Sequence, residues 1–507
     1  MVQVPKIDSN ITGCAYAEES AELGVLPTNP VWTQIVPNSY SDFGGSLTLV
    51  TPTPITDTRQ QKKGNVVDLS ATAGFNQDLT FFNTQGLLPG VLFADFRRKP
   101  RQAVTSVNID SGNPDEYIVA SSTGFRVGQL IKGVNFKSSN NNRVSPIVAV
   151  SATKVEVANG VLSNETTTDS YIQVVGVAGA AGDIHFDATG DFAKITSTIL
   201  DFTTLGLIVG QWIFVGGDAD STKSKIPANN GFKRVRSISA HTLIIDKSFI
   251  SMTTSTETVI IHIYFGDVIK NEVGTEIKRR SFHFERTLGF SDTDKSTEVQ
   301  SEIVTGAVSN EFTINAAQSS LVSVDFSFLG TDHIQRSTSP LQKDVQKSLS
   351  ADPYNTSSDF SRIKMSLVSD TDEAPAPLFA FITEATLTVN NNLDPNKAVG
   401  VLGAFDITAG IFTVTGSINA YFSNVSAIAA IRNNANVTFD VALVKKNQGI
   451  IIDFPLVSLG DGRLNVEQNQ SIKIPLSLSA ADAEGVAPGM GHTILFTFFG
   501  YLPDAAQ

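Results

Sequence analysis

The side chains able to do chemistry are few and far apart. Six histidines stand at 185, 241, 262, 283, 333 and 492. None lies at metal-ligand spacing from another. His262 and His283 fall inside alternating strand patterns, where a structural role is expected. The single cysteine, Cys14, excludes an intrachain disulfide framework and a cysteine-rich zinc site. No basic residue near it in sequence would stabilise a thiolate, so an inert thiol is expected. Acidic clusters occur at Asp218-Ala-Asp220 and at Asp292-Thr-Asp294 with Glu298. Calcium favours clustered carboxylates, but neither cluster has an EF-hand ligand set, so both read as solvated turns. Gly-x-Ser-x-Gly, His-Glu-x-x-His, P-loop and Gly-x-Gly-x-x-Gly motifs are all missing from the sequence. We therefore expect no catalytic residue, no cofactor, no metal and no enzymatic activity.

Basic residues concentrate at Arg59-Gln-Gln-Lys62-Lys63 and Arg97-Arg98-Lys99-Pro-Arg101. A nucleic-acid patch is one reading, since Lys and Arg release phosphate counterions. The chain carries 37 basic and 50 acidic residues, a net charge of −13, which argues against a dedicated nucleic-acid binder. We expect both runs at contacts between subunits, opposite carboxylates, with Arg59, Lys62 and Lys63 foremost; a solvated loop is the plainer alternative.

These residues must be held by strands. Val-Glu-Val at 155–157, Phe-His-Phe-Glu at 282–285 and Val-Asp-Phe-Ser-Phe at 324–328 alternate with period two. Asn, Gly, Asp and Ser clusters separate such runs, as turns require. Two short segments read as helix: Asn76 to Leu88, closed by Pro89, and Asn424 to Asn433, with Asn424 as N-cap. The fold class is all-β, with two short helices. Charged residues are 17% of 507, below the usual quarter or so, which suits a surface covered by copies of itself. No secretion signal and no apolar run long enough to span a membrane is visible.

Internal repeats set the organisation. Gly124-Phe-Arg-Val-Gly-Gln129-Leu-Ile returns as Gly206-Leu-Ile-Val-Gly-Gln211-Trp-Ile. Asn-rich loops, an Arg-Val pair (143–144; 234–235) and a Ser-Ala pair (151–152; 239–240) follow each copy. A longer-range match aligns Phe75-x-x-Asp78-Leu79 with Tyr421-x-x-Asn424-Val425, and Gln318 onward with Gln470 onward. Asp78 to Gln318 spans 240 residues and Asn424 to Gln470 spans 46, an excess of 194. Removing that excess leaves 313 residues, about 156 per copy. The expected map is 1–101 and 256–345 as a first β-domain, split by two small β-domains at 102–178 and 179–255. An exposed linker at 346–380 and a second copy at 381–507 complete it.

Several segments resemble the major tail tube proteins of long non-contractile-tailed bacteriophages. They are Asn38-Ser-Tyr-Ser-Asp-Phe-Gly-Gly45, Arg59 to Gly64, Ala73 to Leu79, Leu387 to Leu393 and Phe498-Phe-Gly-Tyr-Leu-Pro503. The resemblance covers the first 100 residues and roughly 280–507. It implies β-sandwich or barrel domains, each with a short helix, in stacked rings around a channel that conducts genomic DNA. The partners implied are the chain itself and other tail proteins, with DNA passing unbound and no membrane span. The location implied is the virion tail, the chain being made in the host cytoplasm. Insertions such as 102–255 would project outward and be dispensable for the tube. The duplication predicts trimeric rings with pseudo-sixfold symmetry; single-domain relatives would form hexamers. The alternative function is a carbohydrate- or receptor-binding virion protein, which would need an exposed aromatic platform. Trp32 and Trp212 are isolated. A glycan hydrolase would need two positioned carboxylates, and no pair stands out.

Overall fold

The computed structural model describes the 507-residue chain apart from residues 1–6, 8–11, 110–111, 290–298, 338, 350, 380 and 465. The described fold is all-β, with a 16-stranded sheet, a 14-stranded sheet and a two-stranded ribbon. Period-two sequence becomes period-two burial: in Ser323–Gly330, Val324, Phe326 and Phe328 turn inward and their neighbours outward. Phe75 stacks on Phe326 with ring centroids 5.3 Å apart, inside a core shared by the whole large sheet.

Two sets of seven strands in the large sheet pair in the same way. In the first unit, Gln300–Ala317 lies between Phe282–Gly289, Ser323–Gly330 and Asp332–Arg336. Gly13–Glu18 extends one side; Asn65–Asp78 and then Ser39–Val50 extend the other. In the second unit, Gln448–Asp461 lies between Val437–Lys445, Lys473–Ala481 and Leu495–Phe499. Phe360–Leu367 extends one side; Thr413–Tyr421 and then Ile382–Asn390 extend the other. Even a bulge coincides. Phe282↔Ala307 steps to Phe284↔Val304, and Val437↔Val457 steps to Phe439↔Phe454.

The 14-stranded sheet uses strands from residues 101–264 alone. It forms two lobes with the same strand order, joined where Gly176–Gly179 pairs antiparallel with Ile261–Tyr264. The Gly-x-Val-Gly-Gln motif explains itself here. Gly128 and Gly210 have φ of 86° and 87°, a region open to glycine. The following Gln129 and Gln211 accept hydrogen bonds from the Arg126 and Ile208 amides at 2.9 and 3.3 Å. The Asn loops match too: Asn142 Oδ1 accepts from Phe136 N and Asn230 Oδ1 from Ser224 N, both at 2.9 Å.

Several expectations shift. Asn76 and Asp78 end a strand, and the first helix is Leu88–Leu92, with Pro89 inside its first turn rather than closing it. Asn83 takes the Asp78 carbonyl and the Thr80 amide, so side chains compete with helical bonding before Leu88. Proline suits a first turn, where its missing N–H costs nothing. The second helix, Ser426–Arg432, lies within the expected span, but its N-cap is Val425, without a side-chain cap; Asn424, expected at that position, stands one residue earlier and accepts from Ser426 N at 2.9 Å. Strand pairing sets Phe75 against Phe326 and Ile418 against Leu476, so Ile418, not Tyr421, is the counterpart of Phe75. In the lobes, Pro146 rather than Arg143 corresponds to Arg234, because Leu130 faces the one and Trp212 the other. The second lobe runs to Tyr264, past 255. The stretch 346–380 contains strand Phe360–Leu367, so it is not simply an exposed linker.

Candidate assembly surfaces

The two units meet edge to edge. The outer half of Gln300–Ala317 pairs with Ile382–Asn390, from Glu311↔Asn390 to Ala317↔Glu384. The corresponding edge of the second unit begins at Gly460–Asp461, the end of Gln448–Asp461. These residues pair with Lys473–Ala481 on one side and with no strand on the other, among the described residues. Ser39–Val50, the counterpart of Ile382–Asn390, likewise pairs only with Asn65–Asp78 among the described residues. Ser39–Val50 and the start of its partner carry a run of exposed apolar side chains: Leu47, Leu49, Val50, Val66 and Val67. Unpaired edges and exposed apolar strands invite another chain.

The loops beyond these edges differ. Loop 391–412 of the second unit folds onto the first. Lys397 pairs with Asp68, Arg279 with Asp406 at 2.9 Å, and Ile407 is buried with Phe93 and Val308. Loop 51–64, its counterpart, is exposed along most of its length. Arg59, Lys62 and Lys63 are exposed on it and have no ion pair among the described residues.

The other basic run is used within the chain. Arg97 pairs with Glu272, Arg98 with Asp267 at 3.2 Å, and Lys99 Nζ donates to the Gly206 carbonyl at 2.5 Å. Arg101 stacks on Tyr171, 3.4 Å from its centroid. The 97–101 run, expected at a subunit contact, is thus partly neutralised within the chain by acidic residues distant in sequence.

The insertion is clamped to the second unit rather than hanging free. Trp212, Phe214, Phe232 and Tyr264 share a core with Ala442, Val444, Ile451 and Phe499. Beside it lies a buried ionic cluster. Arg234 bonds Asp246 at 2.9 Å and Asp453 at 3.0 Å. Asp440 accepts from Lys247 and, at 2.5 Å, from Arg362. Burial disfavours the Asp440 charge, but Lys247 and Arg362 outweigh it and hold its pKa down. Asp218, expected as a solvated turn, accepts from Tyr501 Oη at 2.7 Å and from the Asp504 amide at 2.8 Å. Glu373, expected in the linker, accepts from the Met252 amide at 2.7 Å. Sequence reading did not single out this cluster. The signal was there in lone aspartates inside apolar runs, Val-Thr-Phe-Asp440-Val and Ile-Ile-Ile-Asp453-Phe.

The remaining candidates are inert in character. Burial pushes the Cys14 thiol up to about 12, although Arg286 on the adjacent strand pulls the other way. His283 Nδ1 contacts Glu19 at 2.6 Å. No cluster of three or more His, Cys, Asp or Glu able to hold a metal occurs among the described residues. The cluster at Asp292, Asp294 and Glu298 lies outside the described residues. Trp32 and Trp212 are buried, so neither offers a sugar-binding platform. No helix among the described residues is long and apolar enough to cross a membrane.

Open strand edges, buried ionic joints and a phenylalanine core describe a building block. A family model described as phage tail tube protein matches residues 9–480. The chain belongs to this family. It is therefore a structural protein of the virion tail, one that assembles with copies of itself and with other tail proteins. Family membership points to a non-enzymatic role. No curated protein matches the chain in sequence.

Proposed function

We propose that three chains close one ring of the tail tube, that rings stack, and that genomic DNA passes through the channel. The chain then carries two tube units, residues up to about 99 with 266–345, and 346–507, with the insertion between the halves of the first. The repeated pairing scheme supports this reading. The joint already inside the chain, Gln300–Ala317 with Ile382–Asn390, serves as the template for the joint between chains. Ser327 faces Glu311 and Ser477 faces Gly460, so Gly460 takes the place of Glu311. Ser46 takes the place of Asn390 by the same counting from Phe75 and Ile418. The edge that begins at Gly460–Asp461 of one chain thus pairs with Ser39–Val50 of the next, with Gly460 opposite Ser46. Three such joints alternate with three internal ones, and closure pairs both of these open edges.

Loop 51–64 then lies against the neighbour's second unit, and Arg59, Lys62 and Lys63 meet carboxylates there. With a net charge of −13 per chain, the ring is acidic overall. An acidic channel repels a duplex bearing one charge per roughly 1.7 Å and lets it slide. Screening confines that repulsion to about 8 Å at physiological salt, a useful range in a narrow channel.

A cysteine pair tests the register. With Ser46→Cys and Gly460→Cys in one chain, assembled protein should oxidise to covalent trimers on a denaturing gel. Covalent products absent from assembled tubes would refute this joint. The native Cys14 is buried and does not compete.

A further inference from the structure

A crevice of about 780 Å³ opens where the first lobe of the insertion meets the first unit. One wall comes from the strand end at Gln77 and the turn through Phe81 and Phe82; the other comes from Arg101, Lys132 and Tyr171. Arg98, Lys99 and Lys347 also line it. Asp267 and Asp78 are its acidic groups, and both are engaged. Asp267 accepts from the Lys99 amide at 2.7 Å and pairs with Arg98, while Asp78 accepts from Asn38 at 2.8 Å.

The other cations have no carboxylate partner among the described residues. Lys99, 5% exposed, bonds only a carbonyl. The Lys132 ammonium sits 3.5 Å from the Asn142 carbonyl and 4.7 Å from the Tyr501 ring. The Arg101 guanidinium rests on the Tyr171 ring. Burial pushes Lys99 down to about 8 and lowers Lys132 as well, which marks cations without full compensation. A second observation is independent of charge. Gln77 is 3% exposed, lines the crevice, and its Nε2 amide has no acceptor among the described residues. A buried donor without an acceptor is costly. Its counterpart in the second unit is Ala420, so the fold does not need an amide there.

The groups left over in this crevice are therefore hydrogen-bond donors and cations. We propose that it is a binding site for an acceptor-rich anionic ligand, one bearing carboxylate or phosphate groups. Arg101 and Lys132 supply charge, Gln77 a neutral donor, and Tyr171 with Phe81 apolar walls. The site lies outside the proposed ring joint, so it stands or falls separately from the tube reading.

Calorimetric titration of the full chain with citrate and with tripolyphosphate tests it. Saturable binding of either is expected, and the tighter of the two identifies carboxylate or phosphate as the natural group. Arg101→Gln with Lys132→Gln should weaken binding by about tenfold or more, since charge-assisted bonds are lost. Gln77→Leu should weaken it less while leaving the charge unchanged. Lys223→Gln, a charge removed elsewhere on the insertion, should leave binding unchanged. No saturable binding of either probe, or equal affinity in the Arg101/Lys132 variant, would overturn the proposal. Circular dichroism of each variant separates lost binding from lost folding.

Discussion

The two units share one pairing scheme yet bury different chemistry at equivalent points. Where the second unit has Asp453, the first has Ile303; where the second has Asp440, the first has Glu285. Glu285 is satisfied locally, by the Leu341 and Gln342 amides at 2.7 and 2.6 Å. Asp453 is answered from outside its unit by Arg234 of the insertion, and Asp440 by Lys247 of the insertion together with Arg362 of its own unit. The difference teaches that the insertion is spliced into one unit but belongs energetically to the other. It braces the pair. The loops make a parallel contrast: 391–412 packs on a surface in the same chain, whereas 51–64 is exposed along most of its length.

The brace is where the comparison breaks most easily. Arg234→Met leaves Asp453 buried with its main counterion gone, and should cost about 3–5 kcal/mol. Adding Asp453→Ile, the residue of the first unit, should recover most of that loss. Ile303→Asp in the first unit should also destabilise strongly, because no cation docks there. Chemical denaturation of the four proteins measures all of this. If Arg234→Met and the double variant were equally unstable, charge pairing would not be the source of the clamp.

A smaller effect follows from pH. His492 and His262 flank the joint of insertion and second unit: His492 faces Gly210, and His262 bonds Tyr264. Burial pushes them down to about 3 and about 4. Unfolded histidine titrates near 6.5. Between there and the folded values, the unfolded chain binds protons that the folded chain refuses. Stability should therefore fall as pH drops below about 6.5, by about 1.4 kcal/mol per pH unit for each histidine. His492→Gln should flatten the fall in melting temperature between pH 7 and pH 5. An unchanged slope would place the pH sensitivity elsewhere.

The smallest effect concerns loop 51–64. Charge reversal at Arg59, Lys62 and Lys63 should slow assembly at low salt and matter little at high salt, since exposed pairs are weak and screened. Light scattering during assembly reads this directly. Equal rates at low salt would leave the three residues as solvated decoration.

Much of the fold was legible in sequence because its signals are local. Alternation gave strands such as Ser323–Gly330, and the Gly-Gln motif gave both lobes, since glycine at positive φ and a glutamine-capped turn leave a fixed spelling. The first helix was misplaced because Leu79, Phe82 and Gln85 step by three in what is a turn. The bonds of Asn83 that decide it are written in single polar residues. The joints were not legible at all. Asp453 in an isoleucine run does not announce that Arg234, 219 residues away, answers it. Arg59, Lys62 and Lys63 were visible as a basic loop, but the edge beside them emerges only when the two units are laid over one another.

Electron cryomicroscopy of assembled tubes tests the central claim most directly. The account predicts three chains per ring, six tube units, and a continuous sheet in which internal joints alternate with the edge beginning at Gly460–Asp461 paired to Ser39–Val50 of the next chain. Six chains per ring, or a Ser39–Val50 edge left unpaired within the ring, would contradict it.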